Sequence, residues 1–193
     1  MKKLLLILSA TTGIVTAANA ADLYNIESTH SFVEFHYNHM GFSNPSGKWM
    51  VNGTLDLDQK NLAKSKTNIT INIGDIVTGV PKLDEHLKSA DFFDATKYPT
   101  ATFVSQKVSN IKGKKFDLNG LLTLHGVTKP VTLHVTENMI GLNKVYDKQT
   151  AGFSATAEIK RSDYGIDLYV PAVSDLIKLD IEIEAQLADN KKK

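Results

Sequence analysis

Ile177-Lys178-Leu179-Asp180-Ile181-Glu182-Ile183-Glu184 alternates an aliphatic with a charged side chain at every step, and Leu187 continues the aliphatic series. Successive side chains of an extended chain point to opposite faces, so this stretch has one apolar face and one charged face. A helix would scatter the same residues around its circumference. The period of two therefore predicts a half-buried strand of an antiparallel sheet.

The same period recurs through most of the chain. Val33, Phe35 and Tyr37 alternate with Glu34, His36 and Asn38; Trp49, Val51, Leu55 and Leu57 alternate with Lys48, Asn52, Thr54 and Asp56. Ile69, Ile71 and Ile73 follow, then Ala101, Phe103 and Ser105 in a strand over 100–108. Further on come Phe116, Leu118, Leu122 and Leu124; Val131, Leu133 and Val135; and Phe153, Ala155, Ala157 and Ile159. Turns rich in Gly, Asn and Lys, such as Asn110-Ile111-Lys112-Gly113, connect them. The only helical stretch is 82–90, where Pro81 suits a first turn and Leu83 with Leu87 makes an i,i+4 apolar pair. The chain is thus all-β, with about eight antiparallel strands and one short helical insertion.

Eight one-faced strands close either as a sandwich or as a barrel just wide enough to be filled or to hold a small ligand. Gly53, Ala101, Ser105, Gly120, Ala151, Ala155 and Ala157 fall on the expected inner face. Small residues at several levels favour a barrel with a cavity, because a full core takes large side chains at such points.

Of 193 residues 22% are charged, and Lys+Arg (22) balance Asp+Glu (21), which argues against a nucleic-acid partner. With no cysteine there is no disulfide, thiol nucleophile or iron–sulfur cluster. Residues 1–20 read as an export signal: Lys2 and Lys3, an apolar run from Leu4, and Ala18-Asn19-Ala20 before the cleavage point. The apolar run is too short for a bilayer anchor. Cleavage after Ala20 leaves a soluble periplasmic protein without a transmembrane anchor. Residues 21–188 form one domain, and 189–193 a solvated basic tail.

Nothing in the sequence resembles an active site. It has no G-x-S-x-G elbow, P-loop or G-x-G-x-x-G. His36 and His39 are three apart in an extended segment and point to opposite faces, while His125 and His134 read as a surface pair across a hairpin. No metal or cofactor is expected. Arg161, the only arginine, stands at a strand end near Asp163 and Asp167. A fork bonding turn carbonyls is favoured over a cation awaiting a polar or phosphorylated head group. His39 shares a face with Phe35 and Tyr37, as a core histidine would.

These motifs together resemble a known family. Tyr24-Asn25-Ile26-Glu27-Ser28-Thr29-His30-Ser31, the run 120–131 from Gly120 through His125-Gly126-Val127-Thr128-Lys129-Pro130, and Arg161-Ser162-Asp163-Tyr164-Gly165-Ile166 are similar to those of the YceI-like proteins. Asp84-Glu85-His86-Leu87, Asp91-Phe92-Phe93-Asp94 and Val173-Ser174-Asp175 extend the likeness over nearly all of 21–188. Glu27 stands where Asp is usual, and Trp49 where Phe is usual.

The resemblance implies a lipocalin-like barrel whose interior binds an isoprenoid or related long-chain lipid, with quinones and prenyl phosphates as possible ligands. The residues expected to line the ligand are the inward-facing Phe35, Tyr37, Trp49, Val51, Ile71, Phe103, Leu122, Leu133, Phe153, Ala155 and Ile181, with His39 and Arg161 as polar members. The competing expectation is an interaction protein with a filled barrel. An enzyme ranks third, and pairing into a dimer through an edge or end has no sequence feature behind it.

Overall fold

An apolar strand face must be covered, and here the sheet covers itself by curling into a ring. The structure is a computed structural model that describes residues 21–189; the export signal, and all but Asp189 of the tail, lie outside the described residues. Nine strands are present: β1 (Asp22–Ile26), β2 (Phe32–His36), β3 (Ser46–Leu57), β4 (Lys66–Asn72), β5 (Thr100–Lys112), β6 (Lys115–Leu124), β7 (Val127–Asn143), β8 (Lys148–Lys160) and β9 (Leu176–Leu187). All neighbours are antiparallel. β1 and β2 lie end to end between β3 and β9, with Tyr24 opposite Leu55 and Leu187, and Val33 opposite Trp49 and Ile181. They make one broken stave, so nine strands form a closed barrel of eight.

The break at 27–31 stays in the ladder. Glu27 N–H donates to the Glu184 carbonyl, and Val51 N–H to that of Ser31. Ser31, fully buried, donates its hydroxyl to the Glu184 carbonyl and accepts the Glu184 N–H. The Glu27 carboxylate accepts the N–H groups of Thr29 and His30, the Thr29 hydroxyl and the His30 Nδ1–H. Glu27, His30 and Glu184 bring three potential metal-ligand atoms within 4.8 Å of one another. The hydrogen bonds on Glu27 account for the approach of His30 to it.

The two ends of the barrel differ. At one end lie the 37–45 loop, the 161–175 loop and the long β4–β5 connection, which carries α1 (Pro81–Lys88). α1 stops two residues earlier than the sequence suggests, because both the N–H and hydroxyl of Ser89 take the His86 carbonyl. At the other end Tyr24, Leu57, Val108, Phe116, Phe153, Ala151 and Ala185 form a packed floor. Phe116 and Phe153 meet edge to face there at 6.4 Å.

Three expectations need correction. First, most of the small inner residues do not leave space. A Cβ at Gly120 would strike the ring of Phe103, and at Gly53, with φ at +152°, it would strike the Asn68 carbonyl. Ala151 faces Ala185 inside the floor, and both are fully buried. Second, a bulge between Ser105 and Lys107 reverses the alternation of β5. The Ser105 hydroxyl takes the Thr67 N–H at 2.7 Å, and Val108 returns to the core. Third, His125 and His134 are not a pair. His125 Nδ1 bonds the Tyr164 carbonyl at 2.9 Å, and its ring meets Tyr98 edge to face, whereas His134 bonds Asp117.

The wall also has a seam. β7 and β8 pair only from His134 opposite Thr156 to Asn143 opposite Lys148. Beyond that, Lys129, Pro130, Thr132, Glu158 and Lys160 line a cleft between the two strands, together with Val131, Ala157 and Ile159. Pro130 has no N–H to pair, which suits a free edge.

The Glu27 turn should make stability depend on pH. Burial alone would raise the Glu27 pKa, but its hydrogen bonds from Thr29 and His30 lower it from 4.5 to about 2. The Glu27 bond raises that of His30 above 6.5. The carboxylate's contribution is therefore fully present above pH 4.5 and lost as pH falls toward 2; the imidazolium's is fully present below pH 6.5 and lost as pH rises past the raised value. Urea midpoints of wild type and Glu27→Gln, measured from pH 2 to 8, should differ most between pH 4.5 and 6.5. A gap that does not change with pH would contradict this account.

Candidate ligand-binding site

Above the packed floor the barrel is hollow. A cavity of about 440 Å³ lies along its axis, within the range of small-molecule sites. Leu55, Ile69, Ile71, Leu118, Leu122, Leu133 and Leu179 point inward yet remain only half buried, because the space they face is empty. On β9 the lining runs from Ile177 to Ile183. That is roughly 20 Å of strand at about 3.3 Å per residue, or about 15 Å of depth once strand tilt is allowed for.

All thirteen residues singled out from the sequence border this one space: Phe35, Tyr37, His39, Trp49, Val51, Ile71, Phe103, Leu122, Leu133, Phe153, Ala155, Arg161 and Ile181. Phe153, Ala155 and Ile181 also belong to the packed floor cluster and mark where packing gives way to void. Ala155 and Ala101 are the small residues that do border the cavity. Parity along regular strands makes most of these positions legible, while Tyr37, His39 and Arg161 lie on irregular chain.

A second set was missed. Leu83, His86 and Leu87 of α1, Phe92 and Phe93 after it, and Tyr169 and Val173 of the 161–175 loop also line the cavity. They sit on irregular chain, where no period marks an inner face. Only the i,i+4 spacing of Leu83 and Leu87 hinted that one side of the helix is covered. This layer rests on Trp49, whose indole N–H donates to the Ile73 carbonyl at 3.1 Å. Its ring lies 4.9 Å from that of Phe35 and meets Phe93 edge to face at 5.2 Å. A Cβ at position 47 would hit the Phe35 ring, so Gly47 leaves room for this stack.

Polar groups gather at the helix end. Tyr37 has its pKa raised by burial. His39 and Tyr169, both exposed, show where the cavity reaches solvent, and His86 packs edge to face on Phe92 at 4.9 Å. Lys66 is the exposed lining residue toward the other end, beside the 58–65 turn.

Arg161 borders the space but is turned into the loop. It is 7% exposed, and its guanidinium donates to the carbonyls of Ile166, Leu168, Val173 and Ser174, each at 2.9 Å. Four carbonyls claim most of a fork that has five N–H donors. The loop winds around this group, and Asp175 closes it by accepting from both the N–H and the hydroxyl of Ser162. Arg161 thereby sets the height at which Tyr169 and Val173 meet the cavity.

A closed antiparallel barrel with a packed floor, a long apolar interior and polar groups at one end defines a lipocalin-like protein built around an internal cavity. Residues 24–185 match the YceI-like domain, and the chain belongs to the YceI-like family. Protein YceI of Shigella flexneri is 40% identical over 189 residues, covering 95% of this chain and 97% of that protein. Among solved structures, BcnA of Burkholderia cenocepacia superposes with a TM-score of 0.74 at 24% identity, covering 82% of this chain and 98% of that one. A polyisoprenoid-binding domain from Saccharophagus degradans superposes with a TM-score of 0.64 at 14% identity, covering 86% and 98% respectively. These two likenesses show a shared fold.

Removing the Arg161 fork should be costly. Arg161→Ala strips four carbonyls of a donor, and a buried group left unsatisfied costs about 1–3 kcal/mol. Because water will reach some of them, a loss of about 3 kcal/mol or more in unfolding free energy is expected, read from urea denaturation. A loss below about 1 kcal/mol would show that the loop holds without its hub.

Proposed function

We propose that this protein is a periplasmic carrier or storage protein that holds the apolar chain of an isoprenoid or similar long-chain lipid within its barrel. The observation that carries this reading is the hollow, apolar interior above a packed floor. An unbranched or methyl-branched hydrocarbon offers no hydrogen bonds, so it needs a channel of suitable width and depth rather than particular polar partners. At about 25 cal/mol per Å², burying roughly 300 Å² of chain contributes on the order of 7 kcal/mol before ordering costs. A filled barrel acting only through its surface would have no need of such a space.

The polyisoprenoid binding of the Saccharophagus degradans domain supports the same ligand class on the same fold. A head group, such as a quinone ring or a prenyl phosphate, rests at the helix end, where the Tyr37 hydroxyl and the imidazoles of His39 and His86 supply polar partners. Arg161 supports the loop around that head group and is not its main contact. The protein acts by binding and not by catalysis.

The export pattern of residues 1–20 supports a periplasmic location for the mature protein. Among the described residues no helix is long and apolar enough to cross a membrane. Protein recovered from its own periplasm should begin at Ala21 and carry a lipid of defined mass in native mass spectrometry. Full-length chain held in the membrane fraction would overturn the location. Consistently empty protein that also takes up no isoprenoid would overturn the carrier reading.

Ala155 gives a sharper test. It borders the cavity just above the floor, so Ala155→Phe should shorten the space while the lipid-free protein keeps its urea midpoint. Uptake of a long isoprenoid should fall at least tenfold, and a short one should still bind. Measuring stability on stripped protein keeps loss of ligand from imitating strain. If the site were already full, overpacking would cost about 1–3 kcal/mol in that same stripped protein.

A further inference from the structure

Three stretches of the loops at the helix end lack charge, although charged positions such as Lys82, Asp84 and Asp167 flank them. In a chain that is 22% charged, residues 37–46, 76–81 and 168–174 contain no Asp, Glu, Lys or Arg. Exposed apolar side chains stand on each: Met40 at 50% and Phe42 at 88%, Val77 at 52% and Val80 at 53%, and Tyr169 at 54%. The 37–45 and 161–175 loops are joined, since Met40 N–H donates to the Ala172 carbonyl and Ser174 N–H to that of Asn38. His39 and Tyr169, which line the cavity, belong to the same two loops. The exposed apolar surface is therefore continuous with the apolar interior.

Phe42 is held out by design of the turn beneath it. Met40 and Gly41 both take positive φ, at 55° and 78°, and a methionine rarely occupies that region without a compensating gain. Asn38 Oδ1 accepts the Gly41 N–H, the His39 carbonyl accepts the Phe42 N–H, and the Asn38 side chain donates to that of Asn44. This network holds the turn whose Phe42 ring stands almost wholly in water.

The opposite end provides a contrast. Val145 is 84% exposed at the β7–β8 turn, with Leu142 and Tyr146 each at 49%, but Lys144, Asp147 and Lys148 interrupt them in sequence. Such charges resist transfer out of water.

We infer that the uncharged rim formed by the 37–46, 76–81 and 168–174 tips is a docking surface for a lipid bilayer, with Phe42 as its leading anchor. Phe42 and Met40 enter the boundary between head groups and acyl chains, and Tyr169 rests at head-group level, where amphipathic rings partition. The cavity mouth then faces the acyl region, so a lipid passes from bilayer to barrel without exposing its chain to water. This rests on the carrier reading, because a bilayer is the source of such a ligand. A second copy of the chain is the competing occupant of the rim.

The test uses the purified protein with vesicles of phosphatidylethanolamine and phosphatidylglycerol, with and without ubiquinone-8. Co-sedimentation should fall at least tenfold for Phe42→Asp and remain at the wild-type level for Val145→Asp, with equal thermal midpoints. Transfer of ubiquinone-8 from vesicles should slow by a similar factor in Phe42→Asp, whereas occupancy reached from detergent micelles should match wild type. Wild type that sediments with vesicles yet takes up no ubiquinone-8 from either source would leave docking standing and count against the carrier reading for this ligand. Vesicle binding unchanged by Phe42→Asp would overturn the docking surface. A wild-type dimer that Phe42→Asp converts to monomer, with no change in vesicle binding, would assign the rim to a second copy.

Discussion

Ring closure depends on one stave that is broken in two. β1 and β2 are five residues each, short enough that either alone would leave part of β3 and β9 as a bare edge. Ser31 bridges them by exchanging hydrogen bonds with the backbone of Glu184, and Glu27 turns the chain so that β2 resumes where β1 stops. With both partners satisfied, the ladder runs around the barrel and the apolar faces of all strands must point to one interior. Where the ladder does lapse, between β7 and β8, the exposed edge carries a proline and flanking charges, which discourage pairing with another chain.

Inside that ring two kinds of packing coexist. Toward the start of β1 and the end of β9, alanines and aromatic rings interlock and leave no room. Toward α1, the inward side chains stop short of one another, and the gap is roofed by groups that come from outside the sheet. Two hydrogen-bonded side chains support that roof: Trp49, tied to the Ile73 carbonyl, carries the aromatic layer under α1, and Arg161 gathers four carbonyls of its loop. Neither touches a carboxylate to do so. Each supports irregular chain by supplying the donors that a strand partner would otherwise provide.

The sheet was largely legible because a period of two survives wherever a strand has one dry face. It fails after Ser105 on β5, where one inserted residue reverses the parity and returns Val108, three positions on, to the core. The cavity was inferred partly for the wrong reason. Gly120 and Gly53 are small because a ring or backbone occupies the volume their side chains would fill, and sequence does not tell an empty neighbour from an oversized one. Ala155 and Ala101 have the same composition signal with the opposite meaning. The roof was hidden for a different reason. Phe92, Phe93, Tyr169 and Val173 are brought to the axis by tertiary hydrogen bonds, such as Phe93 N–H to the Leu87 carbonyl, and not by a repeating pattern. His125 was misplaced because its partner, the Tyr164 carbonyl, is 39 residues away in sequence.

The packed floor gives the molecule a direction. A linear guest that enters at the helix end goes in by its far tip and, with Phe116 and Phe153 packed below, leaves by reversing that path, so whatever sits near Tyr37 and His39 is the last part to arrive and the first to leave. The depth above Phe116 and Phe153 also works as a ruler. A guest shorter than the shaft would slide without registering its length, whereas a longer one would reach the floor and leave its surplus outside.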